Sequence, residues 1–159
     1  MPTAIHKKIR DAEAGLLKQA IFKLPSGWVI AGDTQPLQGY CVILRDPVAK
    51  DLNALTEPER AQYAIDMARV GDALLAELGA HRINYETWGN VDPALHTHIV
   101  PRFMTEPAEK RVQTPRQAYD WNGSRKFDAN LDKEWMEKIR RYLVARTTAA
   151  NGLTAVSLA

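Results

Sequence analysis

Gly89-Asn90-Val91-Asp92-Pro93-Ala94-Leu95-His96-Thr97-His98-Ile99-Val100-Pro101-Arg102 is the stretch on which the reading of this chain turns. Two of the four histidines in the chain stand one residue apart in an apolar run. Side chains of a β-strand alternate between faces, so a strand here puts His96 and His98 on one side, their Cα atoms roughly 6.5–7 Å apart. Val100 and Arg102 share that side. Leu95, Thr97, Ile99 and Phe103 take the other and are expected against a core. Three readings of the pair stay open. The histidines are partly buried structural residues, or two ligands of a metal completed by His6, His81 or a carboxylate. In the third, one imidazole is a nucleophile toward phosphorus and its neighbour bonds the phosphate.

Outward from this strand the pattern is of short strands around one long helix. Upstream, Arg82 to Glu86 reads as a strand, with a loop from Thr87 to Pro93. Before it, Glu57 to Leu78 is the clearest helix. Thr56 and Glu59 make a capping box, Pro58 sits in the first turn, and Gly79 is a C-terminal stop. Tyr63, Met67, Val70, Leu74 and Leu78 recur at helical spacing as its buried stripe. Further back, Gln19 to Leu24 and Trp28 to Ala31 flank the turn Pro25-Ser26-Gly27 and read as a hairpin. Tyr40 to Leu44 is an apolar, central strand, and Pro2 to Ala14 is a short, weakly amphipathic helix. Downstream, Met104 to Asn130 has no period, and a loop that long is usually functional or poorly ordered. Leu131 to Arg146 returns to helical spacing through Leu131, Trp135, Ile139 and Leu143. The chain is expected to be one α+β domain over 1–146, with about five antiparallel strands. A flexible tail is expected over 147–159.

Composition narrows the field. The 159 residues suit one domain with a real core, and a net charge of +2 gives no argument for nucleic acid. A single cysteine, Cys41, excludes an internal disulfide, and its apolar neighbours make it a core thiol. No run is long enough for a transmembrane helix, and the N-terminus lacks the apolar core of a signal peptide. The expected location is the cytoplasm, without membrane or nucleic-acid partners.

The run Gly-Asn-Val-x-Pro-x-Leu-His-x-His-Ile-Val-Pro-Arg resembles the signature of the histidine triad (HIT) superfamily of nucleotide hydrolases and transferases. It is similar to bacterial members with Gly-Asn before the triad and Pro-Arg after it. Upstream, Trp28 to Asp33, Pro36, Gly39 and Tyr40 to Leu44 resemble the family's strand, acidic loop and second strand. Leu55 to Arg60 resembles the start of its long helix, and Ile83-Asn84 its strand-end Asn. The resemblance covers Gln19 to Phe103.

It implies a nucleotide hydrolase or nucleotidyl transferase acting on a dinucleoside polyphosphate or nucleoside phosphoramidate. His96 falls on the nucleophile that attacks the α-phosphate and forms a covalent nucleotidyl-histidine. His98 falls on the histidine that contacts phosphate oxygens. Asn90 falls on an amide donor to phosphate, Asp33 on the acceptor for ribose hydroxyls, and Asn84 on a residue ordering the loop or the phosphate region. The amides and Asp33 also have plain readings as turn residues. No tightly bound cofactor and no protein-held metal are implied, Mg²⁺ entering only with the substrate. A homodimer through the long helix and a strand is implied as well. Ala94 departs from the family, which has histidine there, so the orientation that ring supplied is expected to be missing. The alternative is therefore a catalytically weakened nucleotide-binding or regulatory protein. Arg111, Arg116, Tyr119, Trp121, Arg125 and Lys126 make the later loop basic and aromatic, able to cap a base or phosphate, or simply to be solvated.

Overall fold

The histidine stretch forms an inner strand of a five-stranded antiparallel sheet. In this computed structural model the backbone is described over residues 1–156 and the side chains over 1–149. In chain order the elements are α1 (Ala4–Glu13), β1 (Ala20–Leu24), β2 (Gly27–Ala31), β3 (Cys41–Arg45), α2 (Glu57–Leu78), β4 (Arg82–Glu86) and β5 (His96–Arg102). Then follow α3 (Ala108–Arg111), α4 (Pro115–Ala118) and α5 (Lys133–Val156). The strand order is β1-β2-β3-β5-β4, with the Tyr40–Leu44 run at its centre as β3. The architecture is α+β, with one long helix and a C-terminal helix, as expected.

Period-two alternation sorts the sheet into two faces. Leu95, just before β5, and Thr97 and Ile99 within it point with Cys41 and Ile43 of β3 into the main core, under α2 and α5. Tyr63, Val70 and Leu74 of α2 are fully buried there, and Met67 and Leu78 pack at the margin. Thr97, polar in this core, is satisfied by the hydroxyls of Tyr63 at 3.0 Å and Thr87 at 2.7 Å. The Thr56–Glu59 capping box is formed, and Gly79 ends α2 at φ +69°, the left-handed turn glycine takes without strain. Cys41 is buried and donates to the Gly39 carbonyl.

The opposite face carries His96 and His98 and is roofed by α1. Ile5 and Ile9 of α1 pack on Ile30, Val42, Leu44, Ala94 and Val100. The sequence marks α1 as amphipathic but not where it docks. The docking point is Asp92, whose carboxylate accepts the Ile5 N–H at 3.1 Å and the Ala94 N–H at 3.0 Å.

The C-terminal helix departs from expectation at both ends. The C-terminal helix begins at Lys133, so Leu131 lies in the turn before it and is 65% exposed instead of joining the buried stripe of Trp135, Ile139 and Leu143. It also continues to Val156, through most of the segment expected to be flexible; 157–159 lie outside the described residues.

The Met104–Asn130 segment is held by polar hubs rather than by apolar periodicity. Arg102 and Glu106, both buried, pair through Nη2 at 3.0 Å and Nε at 3.2 Å. Arg102 also donates to the carbonyls of Lys110 and Gln113, and Glu106 accepts from the Phe103 N–H and the Tyr119 hydroxyl. Farther on, buried Asp132 accepts from Arg125, the Asp128 N–H and Trp135 Nε1. Between the hubs the chain crosses to the Asp33 loop, where Gln35 N–H donates to Arg125 O and Phe127 N–H to Asp33 O.

Candidate active site

The strand pairing sets the geometry. Leu44 lies opposite His96 and Val42 opposite His98, and Ile30 of β2 lies beyond Val42. These side chains floor a cleft of about 400 Å³, closed by Ile5 and Lys8 of α1, Asp33 and Tyr40, and Arg116 and Trp121 of the later loop. A volume in this range suits a small ligand, and an apolar floor with few convergent polar groups is usual for one. A second hollow opens from it past the histidines, lined by Trp88, Asn90, Val91, Asp92 and again Arg116.

His96 and His98 meet edge to face, with ring centroids 5.0 Å apart. His96 Nδ1 lies 2.7 Å from the Ala94 carbonyl oxygen. A carbonyl only accepts, so Nδ1 carries the proton and Nε2 of the neutral ring keeps its lone pair. Ala94 therefore holds His96 through its backbone, whatever its side chain.

His98 Nδ1 lies 2.5 Å from the Tyr40 hydroxyl, the sole partner of that hydroxyl among the described residues. Burial raises the Tyr40 pKa, so the phenol keeps its proton and donates it to His98. Nε2–H of His98 is then left as a donor. Burial, helped by His96 and Arg116, pushes the His98 pKa down to about 3. A histidine with a lowered folded pKa costs stability as pH falls below its ordinary value of ~6.5, since only the unfolded chain takes the proton readily. NMR should find the His98 ring neutral, with Nδ1 unprotonated, from about pH 8 to 5. Tyr40→Phe should redistribute its tautomers; a ring that titrates near 6 would contradict this assignment.

The other expected residues separate. Asn90 is exposed and lines the second hollow with His96 and His98. Asp33 stands at the rim of the first, its Oδ1 taken by Lys8 at 2.5 Å and Gln19 at 2.7 Å. Burial alone would raise the Asp33 pKa, but these two bonds and the Lys8 charge hold it below the usual carboxylate range. Oδ2 makes no hydrogen bond among the described residues and is open to a ligand hydroxyl. Asn84 lines neither hollow. Its Oδ1 accepts from Arg102 Nη1 at 3.0 Å, within the hub that orders the later loop.

The third ligand that the metal reading requires is also placed elsewhere. His6 Nδ1 accepts the Thr3 N–H at the start of α1, and His81 Nδ1 lies on the Arg102 carbonyl at the far end of β5. Among the described residues no His, Cys, Asp or Glu completes a group of three.

Sequence reading missed Tyr40, Lys8 and α1 as parts of the site. Tyr40 heads an apolar run and reads as core. A usable signal was Lys8 between Ile5 and Ile9, a cation beside an apolar stripe. Arg116 and Trp121, left open as cap or surface, line the cleft. Trp121 meets Tyr40 edge to face at 4.8 Å, and its Nε1 donates to the Pro115 carbonyl.

No family model matches the chain, and no curated protein matches it by sequence. Solved structures match by fold. A histidine triad protein from Bradyrhizobium japonicum superposes with a TM-score of 0.66 at 23% identity, over 81% of this chain and 94% of that one. One from Marinobacter aquaeolei gives 0.66 at 13% identity, over 83% and 94%. A hypothetical histidine triad nucleotide-binding protein from Sulfolobus tokodaii gives 0.61 at 14%, over 87% and 92%. The chain has the fold of histidine triad proteins. No helix among the described residues is long and apolar enough to cross a membrane.

Proposed function

We propose that the protein is an HIT-like nucleotide hydrolase or nucleotidyl transferase that attacks the α-phosphate of its substrate through His96 Nε2. The observation that carries this reading is the His96–Ala94 bond, which leaves a lone pair free beside a ligand-sized cleft. Apolar Ile30, Val42 and Leu44 suit a nucleoside, and Asp33 Oδ2 suits its ribose hydroxyls. Nε2–H of His98 and the amide of Asn90 are donors for phosphate oxygens, whose charge grows in the transition state. The similarity to a nucleotide-binding protein of the same fold supports the ligand class.

In the first step a bond forms from Nε2 to the α-phosphorus as the bond to the leaving phosphate or amine breaks; the leaving group departs with the electron pair, and an amine takes up a proton from solvent. Water then attacks the same phosphorus and gives up a proton to solvent, the phosphorus–nitrogen bond breaks, and a nucleoside monophosphate is released with His96 restored. Dinucleoside polyphosphates and nucleoside phosphoramidates both meet these requirements, Mg²⁺ accompanying substrate phosphates alone. Binding without turnover is the alternative, motivated by Ala94; the carbonyl bond to His96 favours catalysis. The same reading carries a homodimer, supported by Ile65 and Leu75 exposed on α2 and Tyr85 exposed on edge strand β4.

Alkaline, denaturing quenching during turnover of diadenosine triphosphate and adenosine phosphoramidate, with and without chelator, tests the chemistry. Mass spectrometry should find one nucleotidyl group on His96, indifferent to chelator with the phosphoramidate. Tight nucleotide binding with neither adduct nor product would favour the alternative.

A further inference from the structure

We propose that Arg116, braced by Trp121 and Glu86, is a specificity-determining residue that binds phosphate groups beyond the one attacked. This rests on the reading above and selects, within it, substrates whose leaving group is a phosphate chain. Arg116 lies outside the histidine-strand motif, on a loop whose place in the fold depends on the Arg102–Glu106 hub.

The side chain is preorganised. Its guanidinium carbon sits 4.0 Å from the centre of the Trp121 ring, a stacked cation–π contact. Nε donates to Glu86 Oε2 at 3.2 Å, and Glu86 faces His98 across the β4–β5 ladder. Trp121 is in turn pinned to the Pro115 carbonyl, next to Arg116 itself. With Nε spent on Glu86, the two Nη groups make no hydrogen bond among the described residues. A guanidinium offers these paired N–H donors to phosphate oxygens in a fixed fork, which an ammonium cannot match.

Its position separates two ends of the cleft. Arg116 lines both hollows with His96 and His98, whereas Asp33 lines only the first. The charge nearest the nucleoside end is already paired, Lys8 with Asp33. In the second hollow the carboxylate of Asp92 is taken by the Ile5 and Ala94 amides. The open donors there are Arg116, Asn90, the Trp88 indole N–H and the Nε2–H of His98, and of these Arg116 is the one that carries a positive charge. A leaving polyphosphate gains negative charge as its bond to the α-phosphorus breaks, and Arg116 is placed to meet that charge. An amine leaving group brings no such charge.

Steady-state kinetics of wild type, Arg116→Gln and Arg116→Lys on diadenosine tetraphosphate and adenosine phosphoramidate test this, with thermal unfolding to monitor folding. Arg116→Gln should lose on the order of 100-fold in kcat/KM on the polyphosphate. Its loss on the phosphoramidate should be at least tenfold smaller, and Arg116→Lys should recover part of the difference. Equal losses on both substrates, or none on either, would overturn the proposal while leaving the His96 reading standing. Calorimetry gives a second readout: wild type should bind a non-hydrolysable dinucleoside tetraphosphate more tightly than AMP, and Arg116→Gln should lose that preference. Equal affinities in wild type would also overturn it. If wild type forms no His96 adduct with either substrate, the reading beneath fails, and the calorimetry alone decides the role of Arg116.

Discussion

His96→Ala is expected to lower kcat by on the order of 10⁵-fold, the scale seen when a covalent nucleophile is removed from a site whose other parts remain. The ring is half-buried, and its single polar contact among the described residues is with the Ala94 carbonyl. Its loss leaves that carbonyl open to water and the Leu44–Val42–Ile30 floor in place. Nucleotide affinity should therefore change by less than about tenfold, because the proposed function assigns ribose and phosphate contacts to other residues. Single-turnover kinetics beside equilibrium binding of AMP separates the two quantities. Added imidazole should restore part of the rate by occupying the vacated space. A variant that keeps a tenth of wild-type turnover would show that the nucleophile is water or another group.

The largest stability effect is expected from Glu106→Ala, a loss of about 3–5 kcal/mol, because it leaves the buried Arg102 guanidinium without its counter-charge. Four donors converge on this carboxylate: two faces of Arg102, the Phe103 N–H at 2.6 Å and the Tyr119 hydroxyl at 2.7 Å. In a chain of this length the melting temperature should fall by on the order of 10 °C. Burial alone would raise the Glu106 pKa, but the bonds from Arg102, Phe103 and Tyr119 outweigh it and hold the carboxyl below its ordinary value. A depressed folded pKa gives stability that is complete above the unfolded value of ~4.3 and is lost as pH falls through the folded one. Thermal unfolding should accordingly show a steeper acid-side loss in wild type than in Glu106→Ala. The double variant Arg102→Met, Glu106→Leu should be less destabilised than either single change, since no buried charge is left alone. A Glu106→Ala protein within 1 °C of wild type would mean that the hub is not closed in solution.

What the sequence made legible is what lies close together along it. β5 and its two faces follow from alternation within seven residues, and α2 from its cap, stripe and terminal glycine. His96, His98 and Asn90 fall in one contiguous motif, and all three line the second hollow. The rest depends on partners far apart. Tyr40 reaches His98 across a separation of 58 residues, and nothing in Tyr40-Cys41-Val42 marks one hydroxyl as aimed at an imidazole. Asn84 was assigned by resemblance, and its bond to Arg102 lies outside any local pattern. The Met104–Asn130 segment looked structureless because its order comes from charge pairs and carbonyl contacts, which leave no hydrophobic period. The Ala94 carbonyl that holds His96 Nδ1 is likewise invisible in a sequence, which distinguishes residues by their side chains alone.

The tether between α1 and Asp92 has a consequence for synthesis. Ile5 and Asp92 are 87 residues apart, so the helix leaves the ribosome well before its anchor exists. At bacterial-type elongation of ~5–20 residues per second, that delay is roughly 4–17 seconds. A ten-residue helix is marginal in water by itself, so this segment waits largely unhelical, with Ile5 and Ile9 exposed. The roof of the cleft is thus among the first parts made, yet it is seated only after the histidine strand has followed it out, and no ligand can be enclosed before then.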